Sequence, residues 1–305
     1  MKILLDKELL AFKGKQESQY FVDFVERGNE IIERIENGVE NTGDDMPWKK
    51  THDKVRFRGG EISLWAGING HGKSLLLSHI MAHLMKTSTI LVASLEMSIP
   101  ATGARLVRQI AGIEKPTPSY IESILHWTTN RAVVYDQLDT VPADRIVGMC
   151  MYAMEKLKVR HIIIDSMMKC GIGTDDFNSQ KAFVDSLAGV AKKYNGHIHL
   201  VHHMRKGSSE NDIPDKFDVK GAGEITDMVD NLFIVHRNKL KEQEIEEGKS
   251  VDELVPDTTL TVAKQRHGEW EGRIALYFDK ASTQYLQSPR ANKEWFPIEV
   301  QDEVG

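Results

Sequence analysis

The chain has 305 residues, with 39 Lys and Arg against 45 Asp and Glu, a formal net charge of −6, 41% hydrophobic and 28% charged residues. This is a globular composition, which excludes disordered and collagen-like classes, and no apolar run approaches the roughly 20 residues of a membrane helix, so no membrane partner is expected. The acid excess excludes a protein that coats nucleic acid through bulk positive potential, although it permits a locally basic channel.

From Glu17 to Asn37 the apolar residues Tyr20, Phe21, Phe24, Val25, Ile31, Ile32 and Ile35 recur at helical spacing, and Gly38 is placed to end the helix. Residues 1–40 therefore read as an N-terminal segment carrying an amphipathic linker or oligomerisation helix. Residues 41–60, with Thr42, Gly43, Pro47 and Gly59-Gly60, carry turn chemistry without sustained periodicity and read as a linker. The main domain is expected over 61–286, followed by a polar tail over 287–305.

Within the domain, short apolar runs alternate with helical patterns. Strands are predicted at Glu61 to Ala66, Thr89 to Glu96, Ala132 to Asp136, His161 to Asp165 and His197 to His203. Helices are predicted from Lys73, through Gln109, from Pro142 to Lys158 and from Phe177 to Tyr194. The alternation specifies an α/β fold, a mostly parallel sheet with helices on both faces. Val229 to Val235, Thr258 to Lys264 and Arg273 to Phe278 follow with too little room for a crossover helix between the last two, which predicts antiparallel strands at the C-terminal edge. Cys150 and Cys170 make neither a C-x-x-C pair nor a disulfide framework, so a reducing, cytoplasmic setting is expected.

The segment Gly67-Ile68-Asn69-Gly70-His71-Gly72-Lys73-Ser74 matches G-x-x-x-x-G-K-[ST], directly after a strand and opening a helix. In that context the glycines let backbone N–H groups close on phosphate oxygens, Lys73 reaches the β- and γ-phosphates, and Ser74 holds Mg²⁺. Gly67, Asn69, Gly70, His71, Gly72, Lys73, Ser74 and Leu75 are thus the expected nucleotide-binding residues. Asp165 ends the strand Ile162-Ile163-Ile164, the position from which a carboxylate serves the magnesium of a bound nucleotide. The next residue, Ser166, is not a second acid, so a base for water attack must come from elsewhere. Glu96, at the carboxyl end of its strand, is placed to orient or deprotonate that water; the alternative is that it caps the helix starting near Pro100. His197, His199, His202 and His203 invite a metal reading, but no Cys or acid completes a tetrahedral set and no zinc is expected.

The phosphate loop, Ser94-Leu95-Glu96-Met97, the Ile-Ile-Ile-Asp strand, and Lys264-Gln265-Arg266 followed by Gly268 resemble the DnaB-type replicative helicase family over roughly Arg58 to Leu286. His203 with Met204-Arg205-Lys206, then Gly221-Ala222-Gly223, Asp230 and Arg237-Asn238, are similar to the helicase half of phage primase-helicases and to Twinkle. The resemblance implies a RecA-like core, a homo-oligomeric and usually hexameric ring, ATP or dTTP with Mg²⁺ bound between subunits, and translocation on single-stranded DNA in a bacterial or phage-infected cell. It implies Arg266 as an arginine finger beside Lys264, His203 as a sensor of the γ-phosphate, and Arg237 stacked on the base with Tyr277 or Phe278 opposite. Arg205, Lys206, Lys216 and Lys220 become the DNA contacts, in a loop whose Glu210, Asp212, Asp215 and Asp218 make it formally neutral. Primase or polymerase of a replisome are further implied partners.

Apart from the resemblance, Lys264 and Arg266 read equally as cross-strand partners of acids, and His203 as an ordinary strand-end histidine. Most relatives carry a primase or a helical domain ahead of the motor, where about sixty residues stand in this chain; no priming activity of its own is expected. Two other readings share the core: a RecA- or RadA-like recombinase, and an ATP-gated scaffold that never touches DNA.

Overall fold

The computed structural model describes residues 23–37, 42–173, 175–204, 213–219 and 222–298. Residues 1–42 and 43–305 form two compact units. In the first, Asp23 caps a 3-10 turn at Phe24–Arg27 by accepting from Val25 N, and α1 (Gly28–Asn37) follows. Phe24, Val25, Ile32 and Ile35 are exposed, as the amphipathic pattern requires. Residues 17–22 of the predicted helix and Gly38 lie outside the described residues.

The second unit runs β1 (Asp44–Asp45), β2 (Arg56–Phe57), β3 (Ile62–Ala66), α2 (Lys73–Leu84), β4 (Ile90–Ser94), α3 (Ile99–Ala111), α4 (Pro118–Trp127), β5 (Ala132–Val134) and α5 (Ala143–Lys156). It continues with β6 (His161–Asp165), α6 (Phe177–Tyr194), β7 (His197–Val201), α7 (Ala222–Met228), β8 (Asn231–Arg237), α8 (Lys239–Glu246), β9 (Thr258–Gln265), β10 (Gly272–Phe278) and β11 (Tyr285–Leu286). Among the described residues, nine strands form one sheet in the order β11-β10-β9-β8-β3-β7-β6-β4-β5. The run from β8 to β5 is parallel, and β9, β10 and β11 extend it antiparallel. Alternate strand residues serve opposite faces. Leu64, Leu91, Ile162, Ile164 and Leu200 pack with Ile146, Phe183 and Leu187 of α5 and α6. Trp65, Val92, Ile163 and Phe233 pack with Leu76, Ile80, Val107 and Ile124 of α2, α3 and α4. Each fully buried aliphatic chain contributes about 1.5–3 kcal/mol. Among the described residues no helix is long and apolar enough to cross a membrane.

Two stretches differ from expectation. The 41–60 linker is, from residue 43 onward, an integral part of the second unit. β1 pairs with β2, Met46, Trp48 and Phe57 are buried, and Trp48 Nε1 donates to Tyr285 O at 2.6 Å. The polar tail is seated on the domain as far as residue 298. Glu294 accepts from His79 at 3.1 Å, from His83 and from Lys86 at 2.7 Å, and Phe296, 2% exposed, meets Trp127 edge-on. The remaining residues 299–305 lie outside the described residues.

At the amino ends of β6 and β7 lies a buried histidine chain. Trp65 Nε1–H can only donate, so His199 Nδ1 accepts it at 3.2 Å. His199 Nε2–H then donates to His161 Nδ1 at 3.2 Å, and His161 Nε2–H to Asp44 Oδ2 at 3.0 Å. Beside them His197 donates from Nδ1 to Arg58 O at 2.7 Å and accepts Ser63 O–H at 2.8 Å. Hydrogen bonding among neutral rings accounts for this cluster. Burial, and the neighbouring His161, pull His197 down to about 3; burial also lowers His161 and His199. Burial opposes the charge of Asp44 and Glu294, yet bonds from His161 and Arg160 to the first, and from His79 and His83 to the second, hold both carboxyls well below the usual range.

These shifts set an acid limit on stability. The histidines, neutral when folded, refuse protons that the unfolded chain accepts below about pH 6.5, at about 1.4 kcal/mol per pH unit for each fully excluded ring. The two depressed carboxyls add stability that is present above about pH 4 and lost as pH falls towards their folded values. The urea midpoint is therefore expected to fall steadily from pH 7 to pH 5 and more steeply below. A flat midpoint between pH 7 and pH 5 would contradict the neutral chain.

Candidate active site

The loop between β3 and α2 is shaped by its glycines. Gly70 and Gly72 adopt φ +81° and +84°, and a Cβ on Gly72 would lie 2.7 Å from the Tyr285 hydroxyl. A Cβ on Gly67 would lie 2.6 Å from Val235 O. No side chain caps the start of α2, so its first N–H groups point into the loop, where the helix end favours an anion. Lys73 folds back and donates to Gly67 O at 2.8 Å and Ile68 O at 3.1 Å, placing its ammonium at the centre of the loop. Burial brings Lys73 down to about 8, opposed by the charges of Asp165 and Glu96. His71 is fully buried and its Nδ1 accepts from Arg237 N at 3.2 Å, fastening the loop to the end of β8.

Parallel register brings the other strand ends to the same edge. Ser94 pairs with Asp165, and Leu95 N donates to Asp165 O at 2.9 Å, which sets Glu96 beside the end of β6. The Asp165 carboxyl is raised by burial and lowered by a hydrogen bond with Ser74, while Glu96 raises it and Lys73 and Arg105 lower it. Ser74, Ser94, Arg105 and Asp165 line a cavity of about 20 Å³, room for one water-sized species. A hydroxyl beside a carboxylate is an oxygen donor set that suits Mg²⁺. Glu96 does not cap α3; Ser98 does, its side chain accepting from Ala101 N. The Glu96 Oε1 instead accepts from Ser166 Oγ at 3.1 Å, and Ser166 Oγ lies 3.4 Å from His203 Nε2.

Lys73, Ser74, Asp165, Glu96 and His203 are thus brought together, while the remaining candidates are placed elsewhere. Asn69 and Gly70 are exposed on the loop, and Leu75 faces the second core cluster from α2. Arg237 is tied to Glu242 Oε1 at 2.5 Å; Tyr277 is bonded to Leu254 O and Phe278 rests on Tyr285. Tyr285, not Tyr277 or Phe278, is the aromatic beside Gly72. Arg266 pairs with Asp230 at 3.2 Å and donates to Asp227 O and Met228 O, while Lys264 donates to Thr226 O and Asp227 O. Both cations therefore grip the carboxyl end of α7, and the acid pairing read as an alternative is realised for Arg266 within one chain. Lys216 is exposed in a 3-10 turn, its Nζ 5.5 Å from the ring of Phe217, itself 74% exposed. Arg205, Lys206 and Lys220 lie outside the described residues.

Two residues of the site carry no sequence signal of their own. Arg105 faces Asp165 from α3, its Nη2 3.2 Å from Met97 Sδ, with burial lowering its pKa and Asp165 opposing. Ser166 joins Glu96 to His203. Cys150 and Cys170 are buried away from this edge, with burial pushing the Cys170 thiol up to about 12, so neither acts as a nucleophile.

The AAA domain family model matches residues 51–209, just over half of the chain. Among solved structures, the isolated ATPase domain of a helicase superposes with a TM-score of 0.72 at 15% identity, over 87% of this chain and 98% of that one. A DnaB-like replicative helicase, described with its interactions with primase, gives a TM-score of 0.66 at 15% identity over 87% and 67%. No curated protein matches the sequence. These likenesses establish the fold as the RecA-like core of DnaB-like helicase ATPase domains. With its phosphate loop, strand-end carboxylates and parallel sheet inside the matched span, the chain belongs to the AAA domain family.

Proposed function

We propose that the protein is an NTP-hydrolysing DNA helicase motor, which forms a ring, binds ATP or dTTP with Mg²⁺ and translocates on single-stranded DNA. The observation that carries this reading is the convergence of Lys73, Ser74, Asp165 and Glu96 at one sheet edge. Backbone N–H groups of 67–74 and the Lys73 ammonium hold the phosphates, and Ser74 and Asp165 would hold Mg²⁺, which when bound neutralises charge on the phosphate oxygens. Glu96 orients the attacking water and takes its proton. Arg266, with Lys264, serves a neighbouring subunit's site, which makes hydrolysis depend on assembly. The exposed apolar face of the 24–35 segment fits the role of a linker helix that docks on an adjacent subunit.

DNA binding rests on the loop that begins after His203. Lys216 beside the exposed ring of Phe217 pairs a phosphate contact with a surface on which a base can stack. Arg205, Lys206 and Lys220 supply further cations to the same loop. The expected result is ATP hydrolysis that single-stranded DNA stimulates strongly, measured at steady state with Lys73→Ala as the blank. Hydrolysis by the assembled protein that ignores DNA would favour an ATP-gated scaffold. Strand exchange without forked-duplex unwinding would favour a recombinase.

A further inference from the structure

We infer that Ser166 is a positioning residue that joins the DNA-facing loop to the carboxylate acting on water, through a directed chain from His203 to Ser166 to Glu96. This inference rests on the proposed role of Glu96. A serine hydroxyl has one proton. Given to Glu96 Oε1 at 3.1 Å, that proton leaves Oγ only its lone pairs for His203, 3.4 Å away, so the imidazole must present Nε2–H. The chain has one direction, and it commits Oε1 while leaving Oε2 to meet the water.

The three members differ in how firmly they are held. Ser166 is 1% exposed, and its backbone carbonyl accepts from Lys169 N at 2.9 Å, so it is a fixed pivot next to Asp165. Glu96 is an exposed side chain, and one hydrogen bond decides which way its carboxylate points. His203 follows the end of β7 and precedes Met204, whose N–H reaches Gly67 O at 3.3 Å and which bridges to Val219 across the loop. A shift of the loop thus moves His203 against a stationary serine, along the longest bond of the chain. Stretching or shortening that bond changes how well Ser166 holds Glu96, so occupancy of the loop is felt at the water-activating carboxylate.

The test is steady-state ATP hydrolysis by the full chain, with and without single-stranded DNA, for Ser166→Ala, Ser166→Thr, His203→Ala, His203→Gln and the Ser166→Ala/His203→Ala double variant. Ser166→Ala is expected to lower the DNA-stimulated kcat about tenfold, the worth of one orienting hydrogen bond, with the KM for ATP within about twofold of wild type. Ser166→Thr, which keeps the hydroxyl, should restore most of the rate, and the double variant should lose no more than the worse single one. A kcat within about twofold of wild type for Ser166→Ala, a KM that rises in step, or additive losses would overturn the chain. If Ser166→Ala does not fold, His203→Gln carries the test, because it keeps an N–H donor and should exceed His203→Ala in kcat; equal rates would overturn the chain. Glu96→Gln separates the two levels of the argument. If it hydrolyses like wild type, the base assignment fails; if it is inactive while Ser166→Ala is unimpaired, the Ser166 role alone fails.

Discussion

Arg266→Ala is expected to leave nucleotide bound while slowing hydrolysis by about three to five decades, the range for an arginine that meets charge on a transferring phosphoryl group. Within its own chain the guanidinium is held by Asp230 and by two carbonyls at the end of α7, but the side chain is still 40% exposed. A planar fork of five donors can keep that anchorage and present its outer edge to another molecule. Were the anchorage its whole purpose, the substitution would lower the unfolding midpoint and spare kcat. The decisive measurement mixes Arg266→Ala subunits, whose phosphate loop is intact, with Lys73→Ala subunits, whose finger is intact. Recovery of hydrolysis on mixing shows that the arginine works across an interface. A loss below about tenfold in Arg266→Ala, or no recovery on mixing, rejects the finger.

Glu96→Gln should bind ATP as wild type does and lose about two to four decades in turnover. Glutamine keeps the size of the side chain and its ability to accept from Ser166, and removes only the negative charge that would take the proton of water. Helix capping does not compete as an explanation, since Ser98 performs it. Glu96 also contributes to the potential at Lys73 and raises the Asp165 carboxyl, so its loss should not weaken phosphate binding. Nucleotide affinity measured beside single-turnover hydrolysis separates these effects. A Glu96→Gln protein that turns over within about tenfold of wild type would remove the base from this residue.

What the sequence made legible was local. The phosphate loop, the strand ending at Asp165 and the alternation of strands with helices each lie within a short window, and the parallel order follows from right-handed crossovers. α4 was hidden because Pro116 and Pro118 read as breakers, whereas Pro118 occupies the first turn behind the Thr117 cap. The hairpin at 44–57 and the strap at 293–298 were hidden for a different reason. Trp48 and Glu294 gain their meaning from Tyr285 and His79, which are remote in sequence. Arg105 belongs to the site only because α3 turns it towards Asp165, and Ser166 was visible only as the acid that was not there.

The strap that seats Glu294 on α2 also bears on how this protein is made. His79 and Glu294 are 215 residues apart, and the Tyr285 hydroxyl stands over Gly72 of the phosphate loop. A chain emerging from the ribosome amino end first exposes β3 and α2 long before the residues that fasten them have been synthesised. Contacts of such separation form late, because the loop between them must close first. The nucleotide edge therefore matures only once residues 285–296 have been released. Until then the nascent chain holds a phosphate loop whose helix has one uncovered apolar flank, an intermediate for chaperones to shield.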